Sequence, residues 1–151
     1  MKRILVFCLI VAVVSCNKDK FQTKPQIKIK STNYEEVVPK TGTLRINLEF
    51  TDKEGDVSDS ILIVRERLNL KSPAVLPALP YKIPAFPNNS QGEIQVDLDY
   101  DFGLTLGLSP IPVPGSVPAR NEPDTMNLKF VVSDKAGNKS DTATLGIIVN
   151  R

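Results

Sequence analysis

The chain has 151 residues, of which 24% are charged, with nineteen Lys and Arg against seventeen Asp and Glu. It contains no His and no Trp. Without His, Ser-His-Asp and Cys-His nucleophile chemistry and the usual zinc sites are excluded; without Trp, a carbohydrate-stacking platform loses its best aromatic, and the balanced charge offers no basic footprint for nucleic acid.

The chain opens with a positive Met1-Lys2-Arg3, followed by an apolar run from Ile4 to Ser15. That run is shorter than the roughly 20 helical residues needed to span a bilayer core. A basic start, a short apolar stretch and a small residue before a cut are the parts of an export signal. Val13-Val14-Ser15-Cys16 resembles the lipobox of bacterial lipoproteins. The resemblance implies cleavage before Cys16, diacylglycerol on its thiol, and a lipid-anchored protein of the bacterial outer membrane, on its periplasmic or surface face. The plainer alternative is an ordinary cleaved signal with an incidental Cys. Each buried CH₂ contributes roughly 0.8 kcal/mol, so two or three acyl chains give stable attachment.

Asn17-Lys18-Asp19-Lys20 resembles the charged export tags of surface lipoproteins in the Bacteroidota, although only Asp19 is acidic. The expected organisation is a signal at 1–15, a lipidated Cys and polar tether at 16–25, and one domain at 26–151. Cleavage removes Cys8, so no disulfide within the mature chain is possible. It also removes Lys2 and Arg3, leaving seventeen basic and seventeen acidic residues. The precursor's pI of about 8.5 therefore misrepresents the mature protein.

From Gln26 the pattern has period two, the signature of half-buried strands. Strands are expected at 26–30, 43–51, 60–68, 93–101, 125–133 and 141–149, with a short edge strand near Glu35 to Val38. In the third, Ile61 to Val64 runs into Arg65-Glu66-Arg67, and its inward face is ambiguous. No segment after Cys16 has helical periodicity. The twelve prolines avoid the strand cores, with five from Pro73 to Pro87 and five from Pro110 to Pro123. Proline cannot donate to a ladder, so these stretches read as loops or edges. Tyr34, Tyr81 and Tyr100 read as core or rim.

Phe50-Thr51-Asp52-Lys53-Glu54-Gly55-Asp56 resembles the D-x-D/E-G-D loop of cadherin-like and other Ig-like modules, and Asp134-Lys135-Ala136-Gly137-Asn138 resembles the last hairpin turn of bacterial Ig-like domains. The expected fold is all-β, an antiparallel Ig-like β-sandwich of about seven strands with two long proline-rich loops.

That fold would gather Asp52, Glu54, Asp56, Asp59, Asp134, Asn138 and Asp141 at the end where the chain enters its first strand. Ca²⁺ takes six to eight oxygens in flexible geometry, so calcium is the candidate cofactor. The same residues are also ordinary turn formers, and Lys53, Lys135 and Lys139 sit among them. Asp97, Asp99 and Asp101 share one strand face and read as a solvated surface rather than a glycosidase pair. At the opposite end, Phe102, Leu104, Leu106, Leu108, Ile111, Val113 and Val117 either fold back over the sandwich or face a partner. Phe102, Leu104, Ile111, Val113 and Val117 are the candidate partner-binding residues. The loop at 69–91, with Leu76, Leu79, Tyr81, Ile83 and Phe86, is expected to pack beside them.

Three functions are consistent with these features. The first is a membrane-anchored, non-catalytic module binding a protein or glycan at the envelope. The second is a structural envelope component docking through the proline-rich loops. The third, a carboxylate-dependent hydrolase, would need two acids facing each other across a cleft, and the sequence supplies no such pair.

Overall fold

The computed structural model describes residues 24–151. The signal, Cys16 and most of the tether lie outside them. Among the described residues there are eleven strands and one helical turn. A three-stranded sheet has the order β1 (Gln26–Thr32), β3 (Thr43–Thr51), β7 (Gln91–Asp99). The facing sheet has the order β2 (Val37–Val38), β11 (Ala143–Val149), β10 (Asp124–Asp134), β4 (Val57–Arg67), β5 (Ala74–Val75). A further strand, β6 (Leu79–Lys82), also pairs with β4. All of these pairings are antiparallel except that of β2 with β11. The long strands match the expected ones to within a few residues. The Glu35–Val38 region supplies only two strand residues, with Ile148 donating to the Glu36 carbonyl at 2.8 Å.

The core follows from the alternation. Leu44, Ile46, Leu48 and Phe50 of β3 and Ile94, Val96 and Leu98 of β7 point inward. From the other sheet come Ile61 and Ile63 of β4, Met126, Leu128, Phe130 and Val132 of β10, and Ile147 and Val149 of β11. Truncating a fully buried Phe such as Phe130 costs about 3–5 kcal/mol in a core of this kind.

The ambiguous phase of β4 resolves in an unexpected way. Arg65 and Arg67 continue the inward face of Ile61 and Ile63, and both are buried. The inward face of β10 likewise carries a buried Asp at each end, Asp124 and Asp134. The interior is apolar through its middle and ionic at both ends.

Topology explains the two long connections differently. β4 and β7 run in the same direction, so the chain must cross back between them. β6 and the 83–90 segment make that return, and the Asn89 amide reaches the Gly55 carbonyl at 3.1 Å. β7 and β10 need no such return. β7 ends where Asp99 pairs with Thr43, and β10 starts where Met126 pairs with Arg67, both at the end remote from Gly55. Opposed sheets stand about 10 Å apart, so a handful of residues would close that gap. Residues 100–123 greatly exceed the need. They form a π-helical turn, Tyr100–Thr105, and a small hairpin of β8 (Ile111–Pro112) and β9 (Asn121–Glu122). No helix of the described residues is long and apolar enough to cross a membrane.

Candidate functional site

At the end where β1 begins, the β3–β4 turn meets the β10–β11 turn. The Lys135 amide donates to the Asp56 carbonyl at 3.1 Å, joining them. Asp52, Asp56 and Asp134 bring one carboxylate oxygen each to within 4.8 Å of one another. Local backbone builds each half. Asp52 Oδ2 accepts from the Asp56 amide at 2.9 Å, bending the turn through Gly55. Gly55 has φ +68°, and a Cβ there would meet the Asn89 carbonyl carbon at 2.9 Å, so this turn requires glycine. Asp134 accepts from the Asn138 amide at 2.8 Å and from Asn138 Nδ2 at 2.7 Å.

The electrostatics of the two buried acids differ. Burial pushes the Asp52 carboxyl up; the Asp56 amide opposes this, and the charges of Asp56, Glu54 and Asp134 add to it. Burial pushes the Asp134 carboxyl up as well, but the donors from Asn138, Gly137 and Ala136 outweigh it and hold the pKa below the ordinary value.

The structure therefore assembles part of the expected acidic set. Asp52, Asp56 and Asp134 converge, and Asn138 orients Asp134. Glu54 is exposed on the turn. Asp141 points away, its side chain 97% exposed and paired with Lys24 at 2.5 Å. The side chain of Asp59, within β4, lies outside the described residues. The second acidic group is also corrected. β7 ends at Asp99, whose Oδ1 caps the helical turn by accepting from the Phe102 amide at 2.7 Å. Asp101 therefore belongs to that turn and shares no strand face with Asp97, which pairs with Arg45 at 3.2 Å.

At the opposite end, the ionic part of the interior holds the 100–123 connection. Arg65 Nη1 reaches the carbonyls of Leu106, Phe102 and Gly103 at 3.3–3.4 Å. Its guanidinium has no carboxylate partner among the described residues, and burial lowers its pKa. Arg67 donates to the Ser72 and Ser109 carbonyls at 2.7 and 2.8 Å and pairs with Asp124 at 3.3 Å. Arg151 approaches the other Asp124 oxygen at 3.3 Å and donates to the Leu108 carbonyl at 2.5 Å.

These contacts sort the expected partner-binding residues into two groups. Leu104 is corrected to a core position, 0% exposed, because the helical turn folds it into the same cluster as Leu108. Ile111 is also corrected to a buried position, 6% exposed, in β8 of the small hairpin. Val113 is half-buried. Phe102 and Val117 face outward at 70% and 93%, joined by Leu106 at 56% and by Leu70, which is fully exposed. Leu70 was not singled out in the sequence, where it follows a strand and carries no motif.

The 69–91 loop divides as well. Leu76 packs near Gly107, beside the 100–123 connection. Phe86 instead lies over Phe50, ring centroids 5.5 Å apart, on the flank near the acidic turns. Tyr81, Ile83, Phe86 and Ile94 line a shallow lateral groove there, of about 630 Å³.

No family model and no curated protein matches the chain. Two solved structures are similar in shape. One is the sporulation control protein Spo0M from Bacillus subtilis, at 8% identity and TM-score 0.47, over 85% of this chain and 50% of that one. The chain thus spans about half the length of that protein. The other is a Niemann-Pick type C2 protein from the Japanese carpenter ant, at 10% identity and TM-score 0.42, over 86% of this chain and 98% of that one. Likenesses this distant say nothing of ligand or activity; the fold stands on the strand order itself, which is that of an antiparallel β-sandwich of Ig-like type.

Proposed function

We propose that this chain is a non-catalytic, Ig-like binding module, held at the outer membrane of the bacterial envelope through lipid on Cys16, that engages a protein partner with the end built by residues 100–123. The observation that carries this reading is the surplus connection. Its length is not needed for closure, yet buried Arg65 and Arg67 hold the carbonyls of its first half, from Phe102 to Ser109, while Phe102 and Leu106 there, and Val117 farther along, are turned to solvent. A loop selected only for linkage would not recruit two buried guanidiniums.

A protein fits this end better than a glycan. The exposed groups are aliphatic with one phenyl ring, and an apolar surface is the complement they can bury. The described chain enters its first strand at the other end, where Lys24 pairs with Asp141, so a lipid on Cys16 would hold the 100–123 end away from the bilayer. Surface tethering of this kind needs no catalytic group.

Replacing Phe102 and Leu106 together by Asp in the full-length protein tests the reading in cells. Chemical crosslinking is expected to give a discrete adduct with the parent protein that the double variant loses while its Tm stays within a few degrees. An adduct of equal yield from the variant would refute the assignment of this end.

A further inference from the structure

The two ionic ends of the interior are balanced in different ways. At the 100–123 end, buried Asp124 lies between Arg67 and Arg151, so negative charge meets positive charge. At the other end, Asp52, Asp56 and Asp134 converge, and among the described residues no Lys or Arg forms an ion pair with any of them. Asp52 is fully buried and its Oδ1 has no hydrogen-bond partner; Asp56 Oδ1 is also buried without one. An uncompensated buried charge is costly, and buried charges are normally paired or coordinate a metal.

We infer that Asp52, Asp56 and Asp134 form a Ca²⁺ site that ties the two sheets together at this end of the sandwich. Asp52 leaves the three-stranded sheet at the end of β3, while Asp56 and Asp134 belong to the turn before β4 and the end of β10 in the facing sheet. Ligand oxygens within 4.8 Å of one another can share one ion at the 2.3–2.6 Å bond lengths of Ca²⁺. A donor set of oxygen alone selects a hard cation over zinc or copper. Mg²⁺ requires near-ideal octahedral geometry, which two turns from different sheets are poorly placed to impose. Three carboxylates leave the remaining positions to water or loop carbonyls. Affinity should therefore fall near the 10⁻⁴–10⁻³ M range of extracellular modules.

The test uses the full chain in detergent micelles, stripped with EDTA and titrated with Ca²⁺ alone. Calorimetry should show one site, and Tm should rise by about 3–8 °C at roughly 10 mM Ca²⁺. Asp52→Asn, which keeps an acceptor for the Asp56 amide, should weaken binding at least tenfold and leave the metal-free Tm equal or higher. Asp56→Asn is the second variant should Asp52→Asn fail to fold, with the same loss of binding. Asp141→Asn, remote from the cluster, should titrate as the parent does. Absence of heat and of any Tm shift in the parent would overturn the site. So would an undiminished response in Asp52→Asn or Asp56→Asn, or an equal Tm rise with Mg²⁺, which would signal diffuse screening.

Discussion

Asp124 shows how a single buried charge organises a whole end of the molecule. Both its oxygens face guanidiniums, and those guanidiniums hold the carbonyls of Ser72, Ser109 and Leu108. Removing one partner from a buried ion pair costs about 3–5 kcal/mol, because the remaining charge stays desolvated. Asp124→Ala is expected to lose that much in urea unfolding; a loss under about 1 kcal/mol would mean that Arg67 and Arg151 turn outward freely. Gly92 gives a steric counterpart. A Cβ there would come within 2.7 Å of the Phe50 ring, so Gly92→Ala should destabilise by about 1–3 kcal/mol through overpacking.

The Glu66–Lys129 pair gives a test in pH. The ammonium lies 2.8 Å from the carboxylate, and its hydrogen bond and charge hold the Glu66 pKa below the ordinary 4.5. The folded chain therefore binds this proton more weakly than the unfolded chain does. The stabilisation is fully present above the unfolded pKa and is lost as pH falls through the folded one. Parent and Glu66→Gln should differ at pH 7 and converge as pH falls from the ordinary 4.5 through the lower folded pKa of Glu66. A gap that widens in acid would contradict the sign.

Among the elements, the helical turn Tyr100–Thr105 governs what the 100–123 end presents. Leu104 plugs it into the core and Arg65 caps its carbonyls, so Phe102 and Leu106 are left outside on the same short segment. Leu104→Ala should cost about 2–5 kcal/mol. If the turn opens with it, trypsin should cut the variant near Arg120 well before the parent, and equal cutting rates would separate the turn from the hairpin.

The strands that the sequence made legible are those whose alternation is unbroken, as in Leu44 to Phe50 and Met126 to Val132. The inward phase of β4 was hidden because two arginines occupy core-facing positions, where local pattern assigns charge to solvent. Only the β-sandwich end and Asp124 make their burial intelligible. The turn at Tyr100 was hidden for a related reason. Asp97, Asp99 and Asp101 continue the alternation of β7 past the point where Asp99 stops the strand by capping. Whether Leu104 and Ile111 fold back or face a partner was open in the sequence, because a long proline-rich segment shows nothing of what it packs against.

For the whole molecule, the fold class and the pairing of the two acidic turns were readable from the D-x-E-G-D and D-K-A-G-N stretches, since strand order alone brings those turns together. Which acids converge was not readable. Asp141 follows Asn138 by three residues, a spacing as short as those within the first turn, yet its side chain pairs with Lys24 at 2.5 Å. The anchor is a reading of the first twenty residues, and it has its own check. Palmitate-analogue labelling should mark the parent and not Cys16→Ser, and a labelled Cys16→Ser would rule out Cys16 as the acylated residue.

The sandwich is proposed to grip a protein with the end opposite the start of β1. The most direct measurement places a photoreactive side chain at position 102 or at Lys28, on the exposed face of β1, in the full-length protein in living cells. Irradiation should give a discrete adduct from position 102, competed away by excess unlabelled parent protein and absent from position 28. No adduct from position 102, or equal adducts from both positions, would contradict the account.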